Sequence, residues 1–237
     1  AGRPSSRQQS ITQRREGYIA SAVLAGETET RVDIQTIELE GMTLRIVSPL
    51  NAPTLLPTII YYYGGCFVSG GFATHDNQLR QLAYYGQCRI IAVQYRLAPE
   101  HTFPAAHDDA QRGAELVWQH AERLGVDKQR ITLAGDSAGG HLALVTALRL
   151  KRAGEWQPAQ LILIYPMLDA TAHFESYIRN GHDYITTRDT LLSGLEMHLP
   201  GIERRHPEAS PLWRDDFNGL PPVHIITAEY DPLCDEG

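Results

Sequence analysis

Short apolar runs alternate with amphipathic helical patterns along most of this chain of 237 residues. Most of the runs are apolar throughout, rather than at every second residue, which is typical of parallel strands covered on both faces. They recur at intervals of roughly 30 residues, the spacing of strand–helix–strand units. The predicted strands are residues 31–39, 42–47, 58–62, 89–95, 131–134, 161–165 and 223–228. The alternation therefore predicts an α/β fold with a mostly parallel, doubly wound sheet and helices on both faces.

The interval between the last two predicted strands is about twice as long as one crossover needs. Its excess, residues 171–207, contains a helical stretch at 188–199 and several aromatic side chains. An insertion at the carboxyl edge of the strands is typical of a lid over a ligand site. We predict one domain, residues 1–237, with a helical cap formed by residues 1–30 and 171–207. The alternative is that the insertion only covers a sheet edge. The other predicted helices are residues 77–85, with Asp76 as N-cap, residues 104–124 and residues 138–152.

Charge and composition limit the classes of partner that this protein is expected to have. Acidic residues outnumber basic ones, 28 to 21, and the formal net charge of −7 disfavours nucleic acid and anionic membranes. No apolar run approaches the ~20 residues of a membrane span, and no secretion-signal pattern opens the sequence. The three widely spaced cysteines form neither a disulfide framework nor a metal motif. We therefore predict a cytoplasmic protein with no metal site, no nucleic-acid partner and no membrane span.

Residues 135–139 match the pattern Gly-x-Ser-x-Gly, with Ser137 at its centre. A predicted strand leads into the motif and a predicted helix leaves it, as in the nucleophile elbow of hydrolases. Such a turn strains the serine backbone and holds the hydroxyl clear of the sheet, near the N–H groups of the helix N-terminus. The alternative is a glycine-rich turn with an incidental serine. The context of strand, turn and helix favours Ser137 as a nucleophile.

A glycine-rich loop, residues 63–71, follows the third predicted strand. Glycines let backbone N–H groups approach a ligand closely, and acyl transfer needs such donors for its tetrahedral oxyanion. A phosphate-binding loop is the alternative, but the helix and lysine of a P-loop do not follow. The loop is therefore a candidate oxyanion hole.

Several segments together resemble the hormone-sensitive lipase family of carboxylesterases, which includes bacterial acetyl esterases. Residues 63–67, Tyr-Gly-Gly-Cys-Phe, are similar to the His-Gly-Gly-Gly-Phe loop of that family. The similarity continues in register through residues 95–100, 103–106, 135–140, 165–169, 209–212, 219–222 and 231–237. The resemblance implies the α/β-hydrolase fold with a helical cap and the activity of a serine esterase.

The resemblance also implies an oxyanion hole formed by Gly64, Gly65 and Cys66 of the loop together with Ala138. Two loop positions depart from the family pattern, because Tyr63 occupies the position of its histidine and Cys66 the position of its third glycine. Cys66 keeps a backbone N–H donor. We expect its side chain at the pocket wall, where modification of the thiol would impair catalysis.

In the family pattern, Asp231 is the acid of the catalytic triad. Hydrolases of this fold carry serine, acid and histidine in that order, and Asp231 follows Ser137. None of the ten histidines follows Asp231. We therefore expect the triad histidine, with a last strand and helix, to lie beyond this sequence. The alternative base is a histidine of the insertion. The candidates are His173, His182 and His198.

We interpret the chain as a serine carboxylesterase that hydrolyses short-chain acyl esters through an acyl-enzyme intermediate. The expected partner is a small-molecule ester; no cofactor is implied, and a homodimer is left open. The alternative is a small-molecule binding protein on a catalytically dead hydrolase scaffold, since the family includes hormone receptors that lost the triad histidine. Retention of both Ser137 and Asp231 favours the enzyme, because a receptor needs neither.

Overall fold

Seven strands form one sheet in the computed structural model, which describes residues 5–237. The strands are β1 (Val32–Leu39), β2 (Met42–Pro49), β3 (Leu56–Tyr62), β4 (Arg89–Val93), β5 (Val126–Asp136), β6 (Gln160–Ile164) and β7 (Val223–Ile226). Their order across the sheet is β1-β2-β4-β3-β5-β6-β7. Strand β2 is antiparallel to both of its neighbours, and β4, β3, β5, β6 and β7 are parallel. The predicted mostly parallel sheet is confirmed.

Helices pack on the sheet and on each other. They are α1 (Ile11–Ala20), α2 (Phe72–Gly86), α3 (Ala105–Gln119), α4 (Ala121–Leu124), α5 (Ala138–Ala153), α6 (Ser176–Arg179) and α7 (Arg188–His198). Helices α3 and α5 contact each other as well as β3 and β5, whereas α2 contacts β2 and β4. This arrangement is the predicted doubly wound architecture. None of the helices within residues 5–237 combines the length and the apolar character that crossing a membrane requires.

Two predicted helix boundaries are wrong. Asp76 does not cap α2, because the helix begins directly after Gly71, whose N–H donates to Thr74 Oγ1 at 2.9 Å. Asp76 instead lies one turn inside the helix and pairs with an arginine one turn further on. The helix predicted over residues 104–124 is two helices, since the backbone leaves the helical region at His120 (φ −102°, ψ 21°). In both cases, local side-chain and backbone geometry overrode the amphipathic pattern.

The two segments predicted to form a cap contact each other. Arg7 Nε donates to Asp189 Oδ1 at 2.7 Å, and the two Nη atoms of Arg7 donate to the two carboxylate oxygens of Glu196, also at 2.7 Å. Both acids belong to α7. Residues 1–4 of the predicted cap lie outside the described residues. The contacts of Arg7 join the described parts of the two segments, and the cap itself stays a prediction.

Strand β7 at the edge of the sheet is exposed on both faces. Val223, Ile225 and Ile226 are 40%, 44% and 52% exposed, whereas the apolar side chains of β4 are buried. β7 pairs with β6 on one side, and no described strand pairs with its other edge. The described residues therefore leave the apolar strand β7 uncovered at the lateral edge of the sheet.

Candidate active site

Ser137 lies in the turn between β5 and α5. Its φ of +54° is in the left-handed region, which strains any residue other than glycine. The turn is tight, because a Cβ on Gly139 would lie 1.8 Å from the Tyr62 carbonyl oxygen, and one on Gly135 would lie 2.5 Å from the same atom. Between residues 131 and 150, Ser137 is the one residue that is not buried. The strand, turn and helix that the sequence predicted around Ser137 are present.

Asp136, the residue before the serine, ties the glycine-rich loop to this turn. Its Oδ1 accepts hydrogen bonds from the Tyr61 hydroxyl at 2.8 Å and from the Gly64 N–H at 3.0 Å, and its Oδ2 lies 3.1 Å from His75 Nε2. Burial alone would raise the pKa of Asp136, but the electrostatic interaction with His75 and these hydrogen bonds hold it below its usual value. The N–H of Gly64 is therefore engaged by an ionised carboxylate. In contrast to our expectation, Gly64 does not present a free oxyanion donor.

The remaining predicted donors are unoccupied. The N–H groups of Gly65, Cys66 and Ala138 have no hydrogen-bond partner within the described part of the chain. Ala138 is the first residue of α5, where N–H groups are unpaired and carry partial positive charge. Gly65 has a φ of +135°, and a Cβ there would lie 2.1 Å from the Ser69 carbonyl oxygen, so this position requires glycine. Gly65, Cys66 and Ser137 border one cavity.

The Cys66 thiol does not face this cavity as an open, reactive group. It is buried beneath α7, with Sγ 3.4 Å from the Leu191 carbonyl oxygen. Gly194 of α7 makes room for it, because a Cβ on Gly194 would lie 2.5 Å from Sγ. Burial raises the pKa of the Cys66 thiol to about 12, so thiolate is scarce at neutral pH. Cys66 borders the cavity, as expected. The cover of the insertion helix and the raised pKa argue against the expected modification of the thiol, which stays a prediction.

Asp231 follows β7 and borders the same cavity as Ser137. Its Oδ1 accepts the N–H of Leu233 at 2.9 Å. Burial raises the pKa of Asp231, and no cationic side chain among the described residues pairs with it. A half-buried carboxylate in this state is stabilised by a cationic neighbour, as the acid of a triad is by an imidazolium.

The cavity over Ser137 has a volume of about 620 Å³, within the range of small-molecule sites. Its walls come from the glycine-rich loop, the serine turn, the chain after β7 and both predicted cap segments. Four tyrosines supply much of the lining, and Arg14 of α1 is the cation among the described lining residues. The tyrosines are Tyr18, Tyr165, Tyr184 and Tyr230. The lining therefore combines four aromatic rings with polar and charged side chains from the cap segments and from the serine turn.

No histidine within residues 5–237 borders the cavity. His198 is buried and stacks on Phe67, with ring centroids 4.1 Å apart. His173 Nδ1 lies 2.6 Å from Asp169 Oδ2, and His182 is exposed. The structure therefore does not bring a histidine of the insertion to Ser137.

Comparison with known proteins identifies the family. A family model described as the alpha/beta hydrolase fold matches residues 59–237. The chain belongs to this family. Carboxylesterase NlhH of Mycobacterium tuberculosis is 36% identical over 216 residues, covering 88% of this chain and 68% of the relative. Ethyl acetate hydrolase of Pseudomonas putida is 34% identical over 233 residues, covering 94% of this chain and 73% of the relative.

A solved structure of an ester hydrolase from the metagenome of Lake Arreo is also similar to this alpha/beta hydrolase. The TM-score is 0.90 at 35% sequence identity, covering 99% of this chain and 77% of that chain. Together with the named relatives, this similarity supports an enzyme of the carboxylesterase type and confirms the resemblance inferred from the sequence motifs.

Sequence reasoning missed two residues that shape the site of this alpha/beta hydrolase. Asp136 lies inside the serine motif, and an acidic residue at the end of an apolar strand was a usable signal, since a buried charge requires partners. Gly194 had no comparable signal, because nothing near it in sequence indicates that its missing side chain accommodates Cys66.

Proposed function

We propose that this alpha/beta hydrolase is a serine carboxylesterase with Ser137 as nucleophile. The proposal depends above all on one observation: a strained, partly exposed serine adjoins backbone N–H groups that are free within residues 5–237. The Ser137 hydroxyl attacks the ester carbonyl carbon and passes its proton to a base. The N–H groups of Gly65, Cys66 and Ala138 stabilise the oxyanion that forms. Collapse expels the alcohol, and water then releases the acid from the acyl-enzyme.

We further propose that Asp231 orients a histidine base that does not belong to residues 5–237. Two observations support this: Asp231 borders the cavity without a cationic partner among the described residues, and no described histidine borders it. The relatives are also longer than the matched region, since 216 matched residues cover 68% of carboxylesterase NlhH. We also propose that the protein is cytoplasmic.

The nucleophile is tested with a fluorophosphonate probe on the full-length protein. We expect one covalent adduct, on the peptide that contains Ser137, and loss of both labelling and ester hydrolysis in Ser137→Ala. Ser6→Ala is the matched control, because Ser6 also borders the cavity but lies on the cap side. Labelling that persists in Ser137→Ala contradicts the assignment. A full-length protein that binds esters without hydrolysing them supports the binding-protein alternative.

We propose a preference for short acyl chains. The relative named ethyl acetate hydrolase supports it. With p-nitrophenyl esters of acetate, butyrate, octanoate and palmitate, we expect the highest kcat/KM on acetate or butyrate. The highest kcat/KM on palmitate would contradict this preference.

A further inference from the structure

Arg14 places a cation in the wall of the cavity that holds Ser137. It belongs to α1, its relative exposure is 8%, and it borders the cavity together with Ser137 and Asp231. Its Nη1 donates to Ser193 Oγ at 3.0 Å and its Nη2 to the Thr190 carbonyl oxygen at 3.2 Å. Both acceptors are neutral. The guanidinium thus has no ion-pair partner among the described residues and borders the same cavity as Ser137.

The other described arginines of this N-terminal segment are paired with acids. Arg7 forms ion pairs with Asp189 and Glu196, and Arg15 forms one with Glu100, each with a nitrogen–oxygen distance of 2.7 Å. No carboxylate of the described chain forms an ion pair with Arg14. Burial of an unpaired guanidinium is unfavourable, and burial accordingly lowers the pKa of Arg14. A cation kept in this position is ready to pair with an anion that enters the cavity.

The geometry of the guanidinium leaves donors for such an anion. Arginine has five N–H donors in a planar fork, and the two described bonds of Arg14 use two of them. A carboxylate matches the fork with two parallel, charge-assisted hydrogen bonds. The acids that border the cavity form no ion pair with Arg14: Asp136 is held by His75, and Glu229 and Asp231 make no described ion pair with it although they border the same cavity.

We propose that Arg14 is a specificity residue that binds a carboxylate of the substrate, so that the enzyme prefers esters carrying a free carboxylate. The inference rests on the proposed esterase function and names its substrate class. The carboxylate belongs either to the acyl part, as in a half-ester of a dicarboxylic acid, or to the alcohol part, as in an acylated hydroxy acid. Both place an anion a short distance from the ester carbonyl group.

The test compares esters of equal shape and different charge on the full-length protein. Monomethyl succinate and its neutral analogue methyl 4-oxopentanoate probe the acyl part; acetylated glycolate and its neutral analogue acetoxyacetone probe the alcohol part. For one of the two pairs, we expect the wild type to favour the anion by about tenfold or more in kcat/KM, mainly through KM. Arg14→Met should abolish that preference, because it should lower kcat/KM about tenfold more for the anionic ester than for its neutral analogue. Arg14→Lys should retain part of it, because lysine keeps the charge but not the fork.

Arg7→Met is the matched control, because Arg7 also joins the N-terminal segment to α7 but is paired and does not border the cavity. In Arg7→Met, the ratio of kcat/KM for the anionic ester to kcat/KM for its neutral analogue should equal that of the wild type. Equal losses on anionic and neutral esters in Arg14→Met would show that Arg14 only holds α1 to α7, and would overturn the proposal. So would a wild type without any preference for the anions.

A binding measurement separates this proposal from the proposed hydrolysis. Calorimetry with Ser137→Ala should give tighter binding of the preferred anionic ester than of its neutral analogue, with a dependence on salt concentration that vanishes in Ser137→Ala/Arg14→Met. A wild type that hydrolyses none of the four esters, with this binding pattern intact, contradicts the esterase function and leaves the carboxylate site standing. Binding that is insensitive to Arg14 overturns the carboxylate site alone.

Discussion

At the scale of single residues, Asp136 links the nucleophile to the oxyanion loop. Its carboxylate receives the Gly64 N–H, the Tyr61 hydroxyl and a contact from His75, while the next residue in sequence is Ser137. Two parts of the site that are distant in sequence are thereby held by one buried anion. The positions of the backbone N–H groups of residues 65 and 66 therefore depend on the hydrogen bond between the Gly64 N–H and Asp136.

We expect Asp136→Asn to lower kcat about tenfold to a hundredfold with a smaller change in KM. The amide is neutral and presents a donor to either His75 or Tyr61, so the buried pair is broken and the loop donors shift from the position that the oxyanion needs. Steady-state kinetics and thermal unfolding measure the two effects. Tyr61→Phe is the control, because it removes one donor to Asp136 without touching the loop. An equal fall in kcat in Tyr61→Phe would contradict the role of the Gly64 anchor.

At the scale of elements, α7 and the oxyanion loop are fitted to each other. The loop carries Cys66 where its backbone has a φ of +55°, and α7 carries Gly194 directly against the Cys66 sulfur. A cysteine in this loop therefore depends on a glycine in the insertion helix. Interiors are packed too closely to accept a change on one side of such a contact alone.

We expect Gly194→Ala to destabilise the protein by about 1–3 kcal/mol and to lower kcat/KM, because the new methyl group would meet Cys66 Sγ at 2.5 Å. Cys66→Gly removes the obstacle, so Gly194→Ala should cost much less in the double variant. Chemical unfolding and kinetics of the four proteins form a double-mutant cycle. Additive effects of the two changes would show that the contact does not couple the loop to α7.

At the scale of the whole molecule, three buried histidines join α3, α5 and α7. His107 Nε2 lies 2.9 Å from His141 Nε2, and the ring of His198 stacks on that of His107 at 5.7 Å between centroids. Burial lowers the pKa of His198 to about 3 and that of His141 to about 4, and Arg204 and Arg149 respectively add to these shifts. The native protein keeps these rings neutral at pH values where the unfolded chain, with a histidine pKa near 6.5, binds protons.

We expect stability to fall as the pH decreases from about 6.5 towards 4, by at most about 1.4 kcal/mol per pH unit for each buried histidine. The sign follows because the unfolded state binds more protons over this range. His198→Phe should reduce the slope of unfolding free energy against pH, measured by chemical denaturation. His182→Phe, at an exposed position, should leave the slope unchanged. Glu236, whose pKa burial raises to about 8, acts in the opposite direction but is common to all three proteins. An unchanged slope in His198→Phe would contradict the burial of a neutral ring.

The parts of the fold that follow from neighbouring residues were predictable from the sequence. Apolar runs marked the strands, and the turn around Ser137 was recognisable because close packing of Gly135 and Gly139 against Tyr62 demands glycine at fixed offsets from the serine. Such constraints act over a few residues, so sequence spacing expresses them directly. Helix starts were less predictable, since the N-cap of α2 is Gly71 and not Asp76.

Residues far away along the chain decided the accessibility, the pKa and the hydrogen-bond partners of each group in the site. The sequence by itself determined that Gly64 and Cys66 lie in a loop beside the serine. The tertiary structure decided that Asp136 engages the Gly64 N–H and that α7 buries the Cys66 thiol. It also decided that Arg14 enters the cavity without an acid to neutralise it. Accessibility, pKa and hydrogen-bond occupancy depend on which distant groups exclude water and supply partners, and local sequence patterns do not contain that information.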